Sequence, residues 1–505
     1  MKLLLAIAVT VFATSLAAQQ GATGGEWRYY GGDNGATGYS PLDQINRENV
    51  GELTVAWRWN ASNFGPRPER RYQTRPIMVG GVLYATAGSR RAAVAIDAGT
   101  GETLWMYRLD EGARGETAPR RSSGRGVAYW TDGQGDERIL LVTPGYQLVA
   151  LDAATGGPIQ TFGKHGVVDL KQGLDRQVDA VEGIIGSSSP PVVVGDVVVV
   201  GASLARGLRP PSMENVPGHI RGYDVRTGER LWIFHTIPQA GEFGNETWKD
   251  DSWSYTGNAG VWPPFSADNE LGYVYLPIEA ATSDYYGGHR PGDNLFSTSL
   301  VCLDARTGER VWHYQIVHHD IWDYDNPAAP ILVDITVDGR PIKAVVQLTK
   351  QAFAFVFDRV TGEPVWPIEE RPVAQSDVPG EQTAATQPFP TRPTPFDRQG
   401  VAVEDLIDFT PQLRAEAIEL IKPYRLGPLF TPASLAESDE GTRGTLSLPS
   451  TTGGANWEGG AVDVEEGVLY VGSAVVQTFG RELVGYGSTR DPAAVTSEGV
   501  VPLLI

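Results

Sequence analysis

One short stretch of this 505-residue chain holds more reactive side chains than a turn needs: His318-His319-Asp320-Ile321-Trp322-Asp323-Tyr324-Asp325-Asn326-Pro327. A carboxylate placed there can act as a general base or bind a hard cation. The plainer reading is an Asp-rich turn whose carboxylates accept backbone N–H groups, and these residues alone leave both open. Lys350 ends the apolar run Val346-Gln347-Leu348-Thr349-Lys350. An ammonium there can stabilise an oxyanion, or it can close a strand end in solvent. Trp262 follows the small-residue stretch 257–261 and can floor a planar ligand or pack in a core. Arg125, in Ser122-Ser123-Gly124-Arg125-Gly126, carries a planar fork suited to a carboxylate. Residues 183–191 and 453–457 are Gly- or Ser-rich and either admit a ligand to the backbone or simply turn.

Such scattered groups need a frame, and the chain carries one as a repeat. Asp97, Asp224, Asp304 and Asp358 are each followed by Thr-Gly and then, eight residues after the Asp, by Trp105, Trp232, Trp312 and Trp366. A fifth copy has Asp152, Thr155 and Gly156 but Gln160 in the Trp position. An apolar strand precedes each Asp, the Asp bonds across the turn, and the Gly takes positive φ. Strand–turn–strand units repeating this way predict an all-β repeat architecture of the propeller kind. Ordinary blades repeat at about 40–50 residues, so the longer units here should carry loops. Residues 53–59 alternate like a strand and resemble the second half of a repeat lacking its first half. Residues 364–405 are Pro-rich and read as an insertion over one face. Thr410 and Pro411 open one helix, with Leu413, Ala417, Leu420 and Ile421 on a shared face.

Residues 1–18 read as a secretory signal: Lys2, an apolar run from Leu3 to Leu16, and small residues at 15–18. The expected protein is therefore exported to a periplasm and carries no transmembrane anchor apart from that signal. Cys302 is the single cysteine, so neither an intrachain disulfide nor a Cys-x-x-Cys-His haem site is possible. A formal charge of −20 argues against nucleic-acid binding and permits steering toward a basic redox carrier.

Together these segments resemble the quinoprotein dehydrogenases that use pyrroloquinoline quinone (PQQ). The resemblance runs from about Trp27 to about Leu504 and is most specific in His318–Pro330, Arg290-Pro291-Gly292-Asp293-Asn294, the Trp repeats and Asn456-Trp457. It implies one PQQ-type β-propeller of four-stranded antiparallel blades over residues 19–505, eight-bladed in the family, with a Pro-rich and helical insertion at about 364–440. It implies PQQ and a calcium ion as cofactors, and a periplasmic enzyme that oxidises an aldose or an alcohol by hydride transfer to the quinone. Electrons would pass on to a cytochrome c or ubiquinone. By motif, Asp323 matches the catalytic base and Lys350 the basic residue at the quinone oxygens. Trp262 matches the floor under the ring, and Arg125 the partner of a PQQ carboxylate. Ser187 or Ser188 would offer a hydroxyl, and Asn456 and Trp457 would line the site.

Departures from the family pattern bear on the metal and on closure of the ring. Where relatives place an acidic calcium ligand the chain has Arg206, with Glu214 the nearest carboxylate; where they place Asn it has Ala280, beside Glu279. The expected metal ligands are therefore Asp323, Glu214 and Glu279. Lys350 in place of Arg, and Trp-Asp-x-Asp-x-Pro, lean toward the membrane glucose dehydrogenase branch, although the multi-helix anchor of that branch is missing. No Trp repeat follows Trp366, and the expectation is a ring short of its closing blades. Two other readings stay open: a non-catalytic propeller scaffold of the outer-membrane assembly type, and a truncated inactive relative.

Overall fold

The structure is a computed structural model that describes residues 21–61, 64, 69, 72–204, 212–435, 442, 444–473, 478–484 and 496–503. The expected signal segment and Arg206 lie outside the described residues.

Four consecutive segments each fold into a four-stranded antiparallel meander. The first is β1–β4 (Ile77–Val79, Val82–Ala87, Ala92–Asp97, Thr103–Tyr107) and the second β5–β8 (Ala128–Thr131, Glu137–Val142, Gln147–Asp152, Val167–Asp169). The third is β9–β12 (Val192–Val194, Val197–Val200, Ile220–Asp224, Arg230–Phe234) and the fourth β13–β16 (Ser266–Asp268, Tyr273–Pro277, Ser299–Asp304, Arg310–Gln315). A three-stranded sheet follows, β17–β19 (Ile331–Val337, Arg340–Leu348, Ala354–Asp358). After the hairpin β20–β21 (Ile368–Pro372, Thr386–Pro390) and a helix, the hairpin β22–β23 (Gly460–Asp463, Val468–Val471) packs beside the fifth sheet. From the second sheet onward, the first strand of each unit touches the first strand of the next, through β5, β9, β13, β17 and β22. That is a propeller with its first strands innermost.

Both faces of each blade are covered, so inner strands read as unbroken apolar runs, such as Val197–Val200 with all four residues buried. Successive clusters of buried side chains each straddle two neighbouring sheets. Cys302 lies in one of these cores, and burial pushes its thiol well up, so it is packing rather than chemistry.

The repeated phrase is the fastener between blades. Asp224 Oδ1 accepts the Arg226 N–H at 3.0 Å, the Thr227 N–H at 2.7 Å and the Thr227 hydroxyl at 2.9 Å, closing the turn. The glycine that follows has φ of +70 to +78° in all five copies. The tryptophan of the preceding blade lies flat on it and donates its indole N–H to a carbonyl just after the Asp. Trp105 bonds Ala153 O at 2.9 Å, Trp232 bonds Ala305 O at 2.8 Å and Trp312 bonds Arg359 O at 3.1 Å. Where Gln160 replaces Trp, Val168 and Phe162 cover Gly228 instead. A Cβ on Gly308 would sit 2.5 Å from the Trp232 ring, at a φ of +74°. Gly308→Ala should therefore cost about 1–3 kcal/mol, read as a lower urea midpoint at unchanged m-value.

Trp57 obeys the same rule, donating to Ala98 O at 3.1 Å and covering Gly101. Residues 53–59 nevertheless form no ladder, and no described strand pairs with them. The strand expected there is corrected to an extended segment held by its tryptophans. The helix runs Pro411–Ile421, and Thr410 Oγ1 accepts the Leu413 N–H at 3.2 Å. Its packed face is Ala417, Ile418 and Ile421, whereas Leu413 and Leu420 are exposed, which corrects the expected stripe.

Residues 27–37 run across the inner strands. Trp27 exchanges backbone bonds with Met78, Asn34 Nδ2 donates to Val193 O at 2.9 Å, and Asn34 O accepts from Ala267 N at 2.8 Å. Gly35 O then accepts from Leu332 N, and Thr37 O from Val462 N, both at 2.8 Å.

Candidate active site

Antiparallel pairing puts the start of a blade's first strand beside the end of its second. The segments entering β5, β9, β13, β17 and β22, and those leaving β10, β14 and β18, therefore gather at one end of the inner strands. Arg125, Ser187–Ser189, Trp262, Asp323–Asp325 and Asn456–Trp457 come from the first set. Ser203, Glu279 and Lys350 come from the second.

Lys350 is the centre. It is 4% exposed, and its Nζ donates to Asp323 Oδ1 at 2.8 Å, to Asp323 O at 2.8 Å and to Asp325 Oδ2 at 2.9 Å. Burial pulls the amine down, but the two carboxylates more than offset this and hold it above the usual lysine range. Burial pushes the Asp325 carboxyl up, yet the Lys350 charge and the Ala280 N–H at 2.8 Å leave it below the usual range. The Trp262 indole N–H donates to the same Asp325 Oδ2 at 3.2 Å. Asp323 stands at a φ of +58° and takes the Tyr285 hydroxyl on Oδ2 at 2.9 Å.

Two more buried acids face this group. Asp284 is pushed well above the ordinary aspartate range, by burial first and then by Asp323, Asp325 and Glu279. Glu279 is pushed up to about 8 by burial and then by Asp325. Its Oε2 accepts the Ser203 hydroxyl at 3.3 Å, while its Oε1 is buried without a hydrogen-bond partner.

Arg125 lies between two indoles, its guanidinium 5.2 Å from the Trp262 ring and 5.0 Å from the Trp457 ring. One nitrogen donates to Ser189 Oγ at 3.3 Å and Trp262 O at 3.2 Å, and its Nε is buried with no acceptor. Burial pulls it down to about 10, so it stays charged at neutral pH. Ser187 is buried, with its hydroxyl near Ser189 O at 3.4 Å, and the Ser188 carbonyl accepts the Arg125 N–H. Asn456 turns inward on its own loop, bonding Thr452 O at 2.6 Å and the Trp457 N–H at 2.8 Å.

The Asp-rich segment divides its carboxylates: Asp323 and Asp325 go to Lys350, and Asp320 goes to the backbone. Asp320 is the turn-former: it accepts from Trp322 N at 2.9 Å, Tyr324 N at 3.1 Å and Thr298 Oγ1 at 2.9 Å. Arg290, fully buried, ties this loop to its neighbour through Asp320 O, Thr282 O and Asn294 Oδ1. His318 and His319 turn aside to Glu370 and Glu381. Glu214, expected as a metal ligand, is exposed, and its charge acts on Arg176. Tyr285, Asp284, Asp325 and Ser189 were not singled out from sequence.

The family description "PQQ: Glucose/ethanol/alcohol dehydrogenase, beta-propeller domain" matches residues 27–497. The chain belongs to this PQQ propeller family. The glycerol dehydrogenase large subunit of Gluconobacter oxydans is 34% identical over 90% of the chain and 61% of its own length. The quinoprotein glucose dehydrogenase of Escherichia coli is 32% identical over 87% of the chain and 54% of its own length. The chain thus spans between 54% and 61% of these two relatives. The solved quinohemoprotein alcohol dehydrogenase of Pseudomonas putida HK5 superposes with a TM-score of 0.65 at 25% identity, covering 94% of this chain and 61% of that one.

The residues present fit the cofactors of such a PQQ protein. The orphaned Arg125 Nε between two indole faces suits an anionic planar ring. The orphaned Glu279 Oε1, with the Asp325 and Asp284 carboxyls close enough to interact with Glu279, suits a hard divalent cation. In protein freed of cation, Glu279 holds a proton that the unfolded chain has lost. Its contribution to stability is then full below about 4.5 and is lost as pH rises through about 8. Glu279→Gln should flatten the fall in melting temperature between these limits, and an unchanged slope would contradict the assignment.

Proposed function

We propose that this protein is a PQQ-dependent dehydrogenase that oxidises the CH–OH group of a sugar or alcohol, in the periplasm. The observation that carries the reading is Lys350 Nζ bridging Asp323 and Asp325 beside the Trp262 indole. Arg125, Ser187–Ser189, Trp262, Asn456 and Trp457 would hold PQQ. Asp323, Asp325 and Glu279, with Asp284 behind them, would hold a calcium ion. Bound PQQ supplies a two-electron acceptor, and the cation beside it supplies Lewis acidity.

The chain's own residues supply the proton chemistry. Asp323 Oδ2 is the base for the substrate hydroxyl, and its positive-φ backbone aims it away from the turn. Tyr285 and Lys350 fix its two oxygens, so no reorientation is required when the proton moves. The Lys350 ammonium stabilises negative charge that grows near it. The electron acceptor is a cytochrome c or a quinone, which the acidic surface favours where the partner is basic.

The test is reconstitution of the full chain with PQQ and calcium, followed by a dye-linked assay over aldoses, polyols and simple alcohols. Calcium-dependent turnover of one class supports the reading. Failure to bind PQQ at micromolar concentration overturns it.

A further inference from the structure

We propose that Asp175, His219 and His235 form a second metal site that takes one divalent transition ion of the zinc type. It draws on none of the groups of the carboxylate–lysine cluster. Asp175 lies in the segment leaving β8, His219 immediately precedes β11, and His235 immediately follows β12. Antiparallel pairing of Ile220 with Phe234 places the two histidines side by side at one end of the third blade. Their rings meet edge to face with centroids 4.8 Å apart. One ligand-capable atom from each of Asp175, His219 and His235 lies within 4.8 Å of the others.

Two observations point to an ion. The first is at His235, whose two nitrogens both face carboxylates: Nε2 lies 2.9 Å from Asp175 Oδ2, and Nδ1 lies 2.7 Å from Glu242 Oε1. A neutral imidazole has only one N–H. Either a second proton on the ring or an ion between Nε2 and Asp175 satisfies both carboxylates; the ion leaves Nδ1–H donating to Glu242, the carboxylate–histidine–metal arrangement that orients such ligands. The second is at His219, which is fully buried and whose Nε2 has no hydrogen-bond partner. His219 Nδ1 accepts the Thr236 N–H at 3.2 Å, which puts the ring proton on Nε2; binding an ion through Nε2 moves that proton to Nδ1, toward Thr236 Oγ1 at 3.4 Å, and gives up the Thr236 N–H bond.

Two imidazoles and one carboxylate favour zinc, cobalt or nickel over calcium, with a water completing a tetrahedron. Tetrahedral ligands at about 2.0–2.1 Å from one ion stand about 3.3 Å apart, so the His235–Asp175 pair must open from 2.9 Å while any pair near the 4.8 Å limit closes. The guanidiniums of Arg176 and Arg221 also act on His219. Both are committed elsewhere, Arg176 to the carbonyls of Asn215, Trp253, Tyr255 and Thr256, and Arg221 to Gln172 O and the Tyr146 hydroxyl. Asp175 and Glu242 balance the charge of the ion. The site would fasten the segment leaving the second blade to the third blade and to the 235–257 excursion. Arg176, next to Asp175, grips the backbone just ahead of the Asn258–Trp262 segment.

The test uses the full chain with Zn²⁺ or Co²⁺ alone, without PQQ. After incubation and desalting, metal analysis should give one equivalent of tightly held zinc. X-ray absorption at the zinc edge should show imidazole scattering from two histidines, which the all-oxygen carboxylate cluster cannot provide. Asp175→Asn, at a side chain that is 47% exposed, and His235→Ala should each weaken binding at least tenfold. Zinc should raise the melting temperature of wild type but not of these variants. His219→Ala removes a fully buried ring, so its loss of zinc counts only where its circular dichroism matches wild type. Absence of bound zinc, scattering from oxygen alone, or equal affinity in wild type and Asp175→Asn would overturn the proposal.

Discussion

Asp323→Asn should lower turnover by about 10²–10⁴-fold, the usual worth of a positioned general base, while PQQ binding changes little. The substitution is close to isosteric. The Lys350 Nζ can still bond the side-chain oxygen and the Asp323 carbonyl, both at 2.8 Å in the parent, so the loop keeps its anchor. What disappears is the proton acceptor next to the Tyr285 hydroxyl. The measurement is a dye-linked rate at saturating substrate, with quinone occupancy checked by absorbance. Near-normal turnover in a quinone-loaded variant would remove Asp323 from the role of base.

Lys350→Met has a different signature, because it should damage both stability and the pH profile. Lys350 is the cation bonded to Asp323 and Asp325, and it also moderates Asp284. Removing one partner of a buried ion pair leaves uncompensated charge and typically costs about 3–5 kcal/mol. The carboxylates respond by taking up protons, so the base is blocked near neutrality and any remaining activity moves to higher pH. Calcium should partly restore the urea midpoint of the variant, since the ion brings back positive charge. Lys350→Arg should retain more stability than Lys350→Met, because the charge persists although the fork cannot repeat all three short bonds. If the Met variant melts like wild type at pH 7, the lysine is not neutralising the cluster.

The propeller was legible because its turn chemistry is local. Asp304, Thr307 and Gly308 sit within five residues, and each residue type has a reason to be there. A tryptophan large enough to bridge neighbouring units was legible from its size, but the glycine it lies on was not, since nothing local ties Trp232 to Gly308. The same division runs through the site. Asp323, Lys350, Trp262 and Arg125 stand in distinctive segments and come together, with Trp457 on Arg125, whereas Asn456 bonds only its own loop. Tyr285 and Asp284 sit among Gly, Ser and Tyr residues that carry no pattern. Their place depends on Arg290 pinning two loops together. Glu214 is the carboxylate nearest Arg206 along the chain, but nearness along the chain does not fix which way an exposed side chain faces. Glu279 fits because it directly follows β14, whose end is fixed by its ladder. The helix stripe failed in part because its apolar residues are spread around eleven positions rather than gathered in one sharp face, and the packing at Ala417, Ile418 and Ile421 decides which of them are covered.

Residues 27–37 reach strands belonging to five separate units. Repeat assemblies ordinarily couple only nearest neighbours, so their ends fray independently. Here one short peptide is a common tether, and losing any unit strips partners from a strand that the others also use. Denaturation of the described sheets should accordingly be a single cooperative event rather than a stepwise peeling. Protection of inner-strand amides against hydrogen exchange should collapse together when Asn34 is replaced by Gly.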